Sequence, residues 1–501
     1  MPFLRSHASV SILAGLFFVA LCSCVKAPVR TLQGFRGIEK IDLDAWSEGL
    51  LEGQISPLPR DIDGTLSHSF AESIDSSSSV QPSEAVSITE LSQFCEVVTR
   101  RFAHRYATAN EYSDLASALL ALRDRVRLTQ SRVRARIAIH VLSLMADEVL
   151  YAYFLRYRDA KEWVWPKGPS EEGPDAFHGR LVKPGDVFLS KSEAFSSSLF
   201  LLRSPFGWTF SHASLAYEDN EKNRLMFLEA DTHGQPWVEP SSMDGLPKVS
   251  LYRLKAHPGL AAKVAKELTE FPHTFAFNLR LKPECQPDRY FCSELIYCGF
   301  RSVLASQKTD EFANPYPVEL WSKTDDPIAE RFASKVVPLY WGPIPAPGDV
   351  ELNPDYTAIA HWVRPNQIPR LRVQFVFTNV LFTLLDDNPE LRRNFIESLA
   401  AISSKKRFFR RLLSWSNHGR ELVKEFDETE SKSQGEVPTS SILFYSYIQF
   451  LLLPEIENKC VAQSTKVPLS LKQLRDKITR EVGSNLESFI RLSRLVSWVP
   501  L

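Results

Sequence analysis

One cysteine constrains this chain more than any other residue. Cys292 stands between a short polar stretch, Gln286-Pro287-Asp288-Arg289, and an apolar run from Leu295-Ile296-Tyr297 to Phe300 that reads as a helix beginning at the cysteine. A thiol at a helix N-terminus feels the positive end of the helix dipole, which favours the nucleophilic thiolate. Eighty residues earlier, His212 follows Trp208-Thr209-Phe210 and precedes the β-like Ala213-Ser214-Leu215-Ala216-Tyr217, so a strand is expected to carry it. An imidazole fixed on a strand can take the thiol proton and later give it to a leaving amine. The pair predicts a cysteine hydrolase.

Three segments extend the pattern: Lys183-Pro184-Gly185-Asp186-Val187-Phe188-Leu189, then Phe210-Ser211-His212-Ala213-Ser214-Leu215, then Tyr290 to Ile296. In this order they resemble the permuted papain-like amidases of the YiiX/YaeF type, relatives of the NlpC-type cell-wall peptidases. Unpermuted relatives carry the cysteine first; here histidine precedes it, as in the permuted branch. The resemblance covers roughly Arg180 to Trp321 and implies an α+β domain with a small antiparallel sheet and a cysteine helix. It also implies a third catalytic residue at the end of Phe227-Leu228-Glu229-Ala230, where Glu229 would orient the imidazole and fix its tautomer. Tyr290 would add a hydroxyl contact to substrate, as the aromatic at this point does in relatives. The backbone N–H of Cys292 would be an oxyanion donor.

The remaining candidates carry blander readings. Cys95, Cys298 and Cys460 are expected to be small core hydrophobes. His140 lies on the apolar run Ile137 to Leu155, a core position. His233, in the turn-like Asp231-Thr232-His233-Gly234, is a loop residue near enough to Glu229 to rival it as the orienting group. No CxxC or Cys/His spacing suggests a metal site, and no glycine-rich phosphate loop suggests a nucleotide, so no cofactor is expected.

The N-terminus suggests an address. Arg5 precedes an apolar run, Val10 to Leu21, and Leu21-Cys22-Ser23-Cys24 then reads as a lipobox. A run of about a dozen residues is short of the roughly 20 that span a bilayer, so residues 1–23 are expected to be a lipoprotein signal peptide. Diacylation of Cys24 would anchor the chain at a bacterial cell envelope, since two acyl chains give stable binding where one does not. Removing that segment removes one basic residue of the 59 and none of the 60 acidic, leaving a charge of −2. Near-neutrality argues against a nucleic-acid partner. With Cys22 removed and Cys24 lipidated, five of the seven cysteines remain. An odd count in an oxidising compartment fits one reactive thiol and at most two bridges.

The rest of the chain divides by pattern. Residues 24–86 are serine-rich and proline-punctuated, suiting a flexible tether. Ser87-Ile88-Thr89-Glu90 fits a capping box and opens a helical region, 87–165, whose Arg123, Arg125, Arg127, Arg132, Arg134 and Arg136 are expected to form a solvated basic face. Trp163 to Pro169 reads as a linker into the hydrolase domain, 170–337. The chain reads as helical again from about Tyr356, within a C-terminal domain spanning 350–501. There Val373 to Leu385 and Ile442 to Leu453 are apolar runs of about a dozen residues, expected to be buried helices. Lys405 to Leu413 mixes five cations with apolar residues and suits an anionic membrane surface as well as a surface helix. The substrate most in keeping with these features is an amide of a cell-wall peptide. An acyl-amide or lipid substrate is the alternative within enzymes, because lecithin:retinol acyltransferase-like enzymes belong to the same permuted group. A non-catalytic scaffold lipoprotein is the alternative outside them.

Overall fold

The computed structural model describes residues 109–129, 132–157, 162–166, 176–191, 210–219, 224–230, 237–255, 258–270, 276–278, 281–287, 289–307, 344–404, scattered positions from 420 to 444, 447–464 and 469–498. The signal peptide, Cys24, the tether, Cys95, Asp231, His233 and Lys405 to Leu413 lie outside the described residues. Helices α1 (Ala109–Thr129) and α2 (Arg132–Arg156) come first, then strands β1 (Trp163–Trp165), β2 (Ala176–Phe177), β3 (Arg180–Leu181), β4 (Val187–Ser190), β5 (His212–Asp219), β6 (Arg224–Leu228), β7 (Trp237–Val238) and β8 (Lys248–Leu254). Helix α3 (Pro258–Thr269), strands β9 (Ala276–Phe277) and β10 (Arg289–Tyr290) and helix α4 (Cys292–Gln307) follow. Next come α5 (Pro347–Leu352), β11 (Tyr356–Val363), α6 (Ile368–Asp387), α7 (Pro389–Ser404), α8 (Leu453–Ser464) and α9 (Leu471–Trp498).

The fold is α+β around a seven-stranded sheet of order β1-β11-β8-β4-β5-β6-β7, with every neighbouring pair antiparallel. Alternation along the strands separates its two faces. Val187, Leu189, Leu215, Met226 and Leu228 turn to one side, where they pack with Leu260, Val264, Leu295 and Ile296 of α3 and α4. Phe188, Ala216 and Phe227 turn to the other, joining Phe177 and Trp362. A third core unites α1 and α2 with α6, α7, α8 and α9 and reaches Trp163, Phe291 and Val363.

Two expectations are corrected here. Tyr356 to Val363 is a strand, pairing with β1 on one side and β8 on the other, and Trp163 to Trp165 is its edge partner, not a linker. Both segments combine aromatic and β-branched residues, which favour a pleated surface. The sheet therefore crosses the expected boundaries at 165/170 and 337/350, and the outer helices share a core with each other. The apolar run expected to be a dozen residues is the 20-residue α6. Among the described residues, one stretch, Pro365–Leu385, is long and apolar enough to cross a membrane, and 76% of it is buried within the fold.

The basic face is corrected at two of its six arginines; the side chains of Arg125, Arg132, Arg134 and Arg136 lie outside the described ones. Arg123 and Arg127, four apart and so on one side of α1, point inward at 1% and 4% exposure. Arg123 meets Glu351 at 3.3 Å, and Arg127 donates to the carbonyl oxygens of Asn353 and Tyr356. A carboxylate and backbone carbonyls supply what water otherwise would, so burial of the cations is tolerated.

Candidate active site

The turn Lys183 to Asp186 sets the sheet against the helices. Gly185 has φ +90°, and a Cβ there would lie 2.4 Å from the Ala261 carbonyl carbon, so only glycine lets α3 approach. Asp186 accepts from the Lys183 amide and from both Nε and Nη2 of Arg253, at 2.7–2.8 Å, tying the turn to β8. Burial nevertheless pushes its carboxyl above the usual value. On α4, a Cβ on Gly299 would stand 2.7 Å from Leu268 Cγ, so that glycine draws the cysteine helix against α3.

β5 and β6 run antiparallel with Leu215 opposite Leu228, which brings Ser214 beside Glu229 just past the end of β6. His212 opens β5 and Cys292 opens α4, as the sequence predicted for each element. His212 Nε2 lies 2.9 Å from Glu229 Oε2, and Ser214 Oγ donates to the same oxygen at 2.9 Å. His212 is also hydrogen-bonded to Cys292; with Nε2 engaged by Glu229, Nδ1 is left for the sulfur. Burial alone would lower the imidazole pKa, but the charges of Cys292 and Glu229 and hydrogen bonds to both hold it well above the ordinary histidine value. Burial opposes ionisation of Glu229, yet His212 and the Ser214 hydroxyl bring its carboxyl below the usual value. The imidazole thus lies between the Glu229 carboxylate and the Cys292 sulfur.

The family-model, curated-protein and solved-structure comparisons return no match for this chain.

Around the thiol, the first turn of α4 is tied in two directions. Phe291, fully buried, packs into the core shared by α1, α2 and α6, and Ser293 Oγ donates to the Pro345 carbonyl at 2.9 Å. Burying an aromatic side chain of this kind stabilises its placement by about 1.5–3 kcal/mol. Glu294, fully buried, accepts from the Phe291 amide at 3.1 Å, the N3-to-N-cap half of a capping box. Burial pushes its carboxyl up to about 7. The first amides of a helix have no intrahelical partner, so the Cys292 N–H retains its donor capacity.

Of the residues singled out from sequence, the structure brings Cys292, His212 and Glu229 together. Tyr290 lies beside them in sequence but is 2% exposed and packs in the core beneath α4. Cys298, read as a core hydrophobe, is disulfide-bonded to Cys285, with Cα atoms 5.5 Å apart; Cys292 and Cys460 are free and buried. No cluster of three or more metal-binding side chains occurs among the described residues. Sequence reasoning missed Ser214, Asn278 and Glu294. Ser214 had a signal, since a residue two after His212 on a strand shares its face. Glu294 had one also, as a glutamate at the third position of a helix.

Proposed function

We propose that this protein is a cysteine amidase or peptidase acting by acyl transfer to water, in a permuted papain-like domain of the YiiX/YaeF type. The observation that carries the proposal is His212 hydrogen-bonded to both Cys292 and Glu229, on elements that occur in the order histidine, acid, cysteine. The thiolate of Cys292 attacks the amide carbonyl carbon, and the Cys292 N–H stabilises the oxyanion that forms. The C–N bond breaks as His212 gives its proton to the leaving amine, leaving a thioester on Cys292. Water then attacks the thioester, His212 takes the water proton, and the carboxylic acid departs with the thiolate restored. Glu229 keeps the imidazole oriented and stabilises its charge throughout. The substrate class that best fits the expected lipoprotein address is an amide of a cell-wall peptide, cleaved at the envelope surface.

The test is intact-protein mass spectrometry after exposure to peptidoglycan fragments and, separately, to N-acyl amides. A peptide-acyl adduct that maps to Cys292 and is lost in Cys292→Ala is the expected result. Adducts from the acyl amides alone would transfer the substrate to lipid-like amides. Failure of both sets to modify Cys292, or adducts that persist in Cys292→Ala, would overturn the enzymatic reading.

A further inference from the structure

The segment from Asn278 to Phe291 is held to the nucleophile's helix by one carboxylate. Glu294 Oε1 accepts from the backbone amides of Glu284 at 2.8 Å and Cys285 at 3.2 Å. Its Oε2 accepts from Asn278 Nδ2 at 2.9 Å and from the Phe291 amide at 3.1 Å. All four donors are neutral N–H groups, and they come from four separate positions of one loop. Asn278 Nδ2 also donates to the Lys282 carbonyl at 2.7 Å, closing the loop on itself. The same loop is bridged to α4 a second time, by Cys285–Cys298, one helical turn beyond Glu294. Leu281 and Cys285 both adopt left-handed backbone conformations, at φ 54° and 51°. Non-glycine residues hold that conformation only where their surroundings impose it, and such strain gathers at functional sites.

We propose that Glu294 is the positioning residue of the site: it gathers the loop Asn278 to Phe291 into a collar that fixes the first turn of α4, and so fixes Cys292 against His212. The inference rests on the cysteine-hydrolase reading. Four donors converging on two oxygens need an ionised acceptor, because a protonated oxygen turns from acceptor to donor. Glutamine cannot replace it, since its amide nitrogen would face two N–H groups. Aspartate carries the charge but falls one methylene short of the loop. The disulfide acts in the same sense one turn further along.

The experiment is a double-mutant cycle on the rate of Cys292 alkylation by iodoacetamide at pH 8, with sites assigned by peptide mass spectrometry. His212→Ala in the otherwise native chain should slow labelling of Cys292 about tenfold or more, the effect of losing its proton partner. In a Glu294→Gln background the same change should slow it less than about threefold, because the thiol has already left the imidazole. Cys460, buried in the distant helical core, reports the fold and should stay unlabelled in all four proteins. If Glu294→Gln exposes Cys460, Asn278→Ala, which removes a single donor, takes its place and should give a partial loss of coupling. An equal His212 effect in both backgrounds overturns the positioning role of Glu294. No His212 effect in the native chain overturns instead the hydrolase reading beneath it. Opening the disulfide with Cys285→Ser/Cys298→Ser should shift the coupling in the same direction by a smaller factor, and an increase in coupling would also count against the collar.

Discussion

Two histidines in this protein each lie between a thiol or hydroxyl and a charged side chain, and the opposite signs of that charge drive them to opposite protonation states. His212, at 15% side-chain exposure, lies between the Cys292 sulfur and the Glu229 carboxylate, and its pKa is held well above the ordinary value. His361, fully buried on β11, lies between Ser250 and Arg123; burial lowers its pKa, and the charges of Arg123, Lys248 and Arg127 push it further down. The hydrogen bonds fix its tautomer. A guanidinium only donates, and Arg123 Nη2 sits 2.6 Å from His361 Nε2, so that nitrogen accepts and the proton resides on Nδ1. Ser250 therefore accepts from the ring, the reverse of what activating a serine nucleophile requires. A Ser–His contact next to charge is not by itself catalytic machinery. The sign of the third group decides: an anion behind the ring makes a proton carrier, and a cation makes a structural acceptor.

The comparison breaks most readily at Arg123. This guanidinium contacts Glu351, Asp124, Tyr252 and His361 from inside α1. Arg123→Ala takes the guanidinium away from buried Glu351, Tyr252 and His361, and removing one member of a buried ion pair typically costs about 3–5 kcal/mol. Urea unfolding should show that loss, with Cys292 labelling in the folded fraction unchanged. His212→Ala should do the converse, leaving the urea midpoint nearly in place while slowing Cys292 labelling about tenfold or more. Equal stability losses in the two variants would mean that the two clusters are not different in kind.

A pH series sharpens the same contrast. The raised pKa of His212 means that the native state binds the proton more tightly than the unfolded chain. Its contribution is fully present below the unfolded value near 6.5 and is lost as pH rises through the folded value. The depressed pKa of His361 has the opposite effect: the unfolded chain binds the proton first, so stability falls as pH drops below about 6.5. Each group alone gives a slope of up to about 1.4 kcal/mol per pH unit within its window. Unfolding free energies measured from pH 5 to 9 should therefore lose part of their alkaline decline in His212→Gln and part of their acid decline in His361→Gln. The same slope change in both variants would show that the two rings do not titrate in opposite directions.

How far the sequence reaches differs between the two clusters for a physical reason. Cys292 and His212 were legible because local pattern placed them, an apolar run opening at a cysteine and alternation around a histidine; Glu229 was reached only through the resemblance to the permuted amidases, because an acid at a strand end is as often merely solvated. The His361 cluster was not legible, because it joins α1, β8, β11 and α5 across 238 positions of chain, and no local pattern encodes so distant a pairing. Arg123 and Arg127 looked solvated, since the residues that meet them, Glu351, Asn353 and Tyr356, lie more than 220 positions away. Tyr356 to Val363 was hidden similarly. It follows the Pro- and Gly-rich Pro338 to Pro354 and precedes a long helix, and its place in the sheet rests on pairing with β8 and β1, not on its neighbours in sequence.

The smallest expected effect is the one that most directly compares the serines. Ser214 Oγ donates to the Glu229 oxygen that also meets His212, so it holds the carboxylate without touching the ring. Removing it in Ser214→Ala takes one donor from a charged acceptor, while His212 still compensates the charge of Glu229. The loss should be partial: Cys292 labelling slowed about two- to fivefold, well short of His212→Ala, with the urea midpoint almost unmoved. Ser250→Ala should reverse the pattern. It leaves the His361 Nδ1–H buried without an acceptor, a destabilisation of about 1–3 kcal/mol, and should not alter the labelling rate. Both serines are at most 1% exposed and both sit within hydrogen-bond reach of an acid or a ring, so burial alone predicts the same outcome for the two. Opposite outcomes follow only if the group behind each histidine sets its role, and identical effects on labelling and stability would sink that idea.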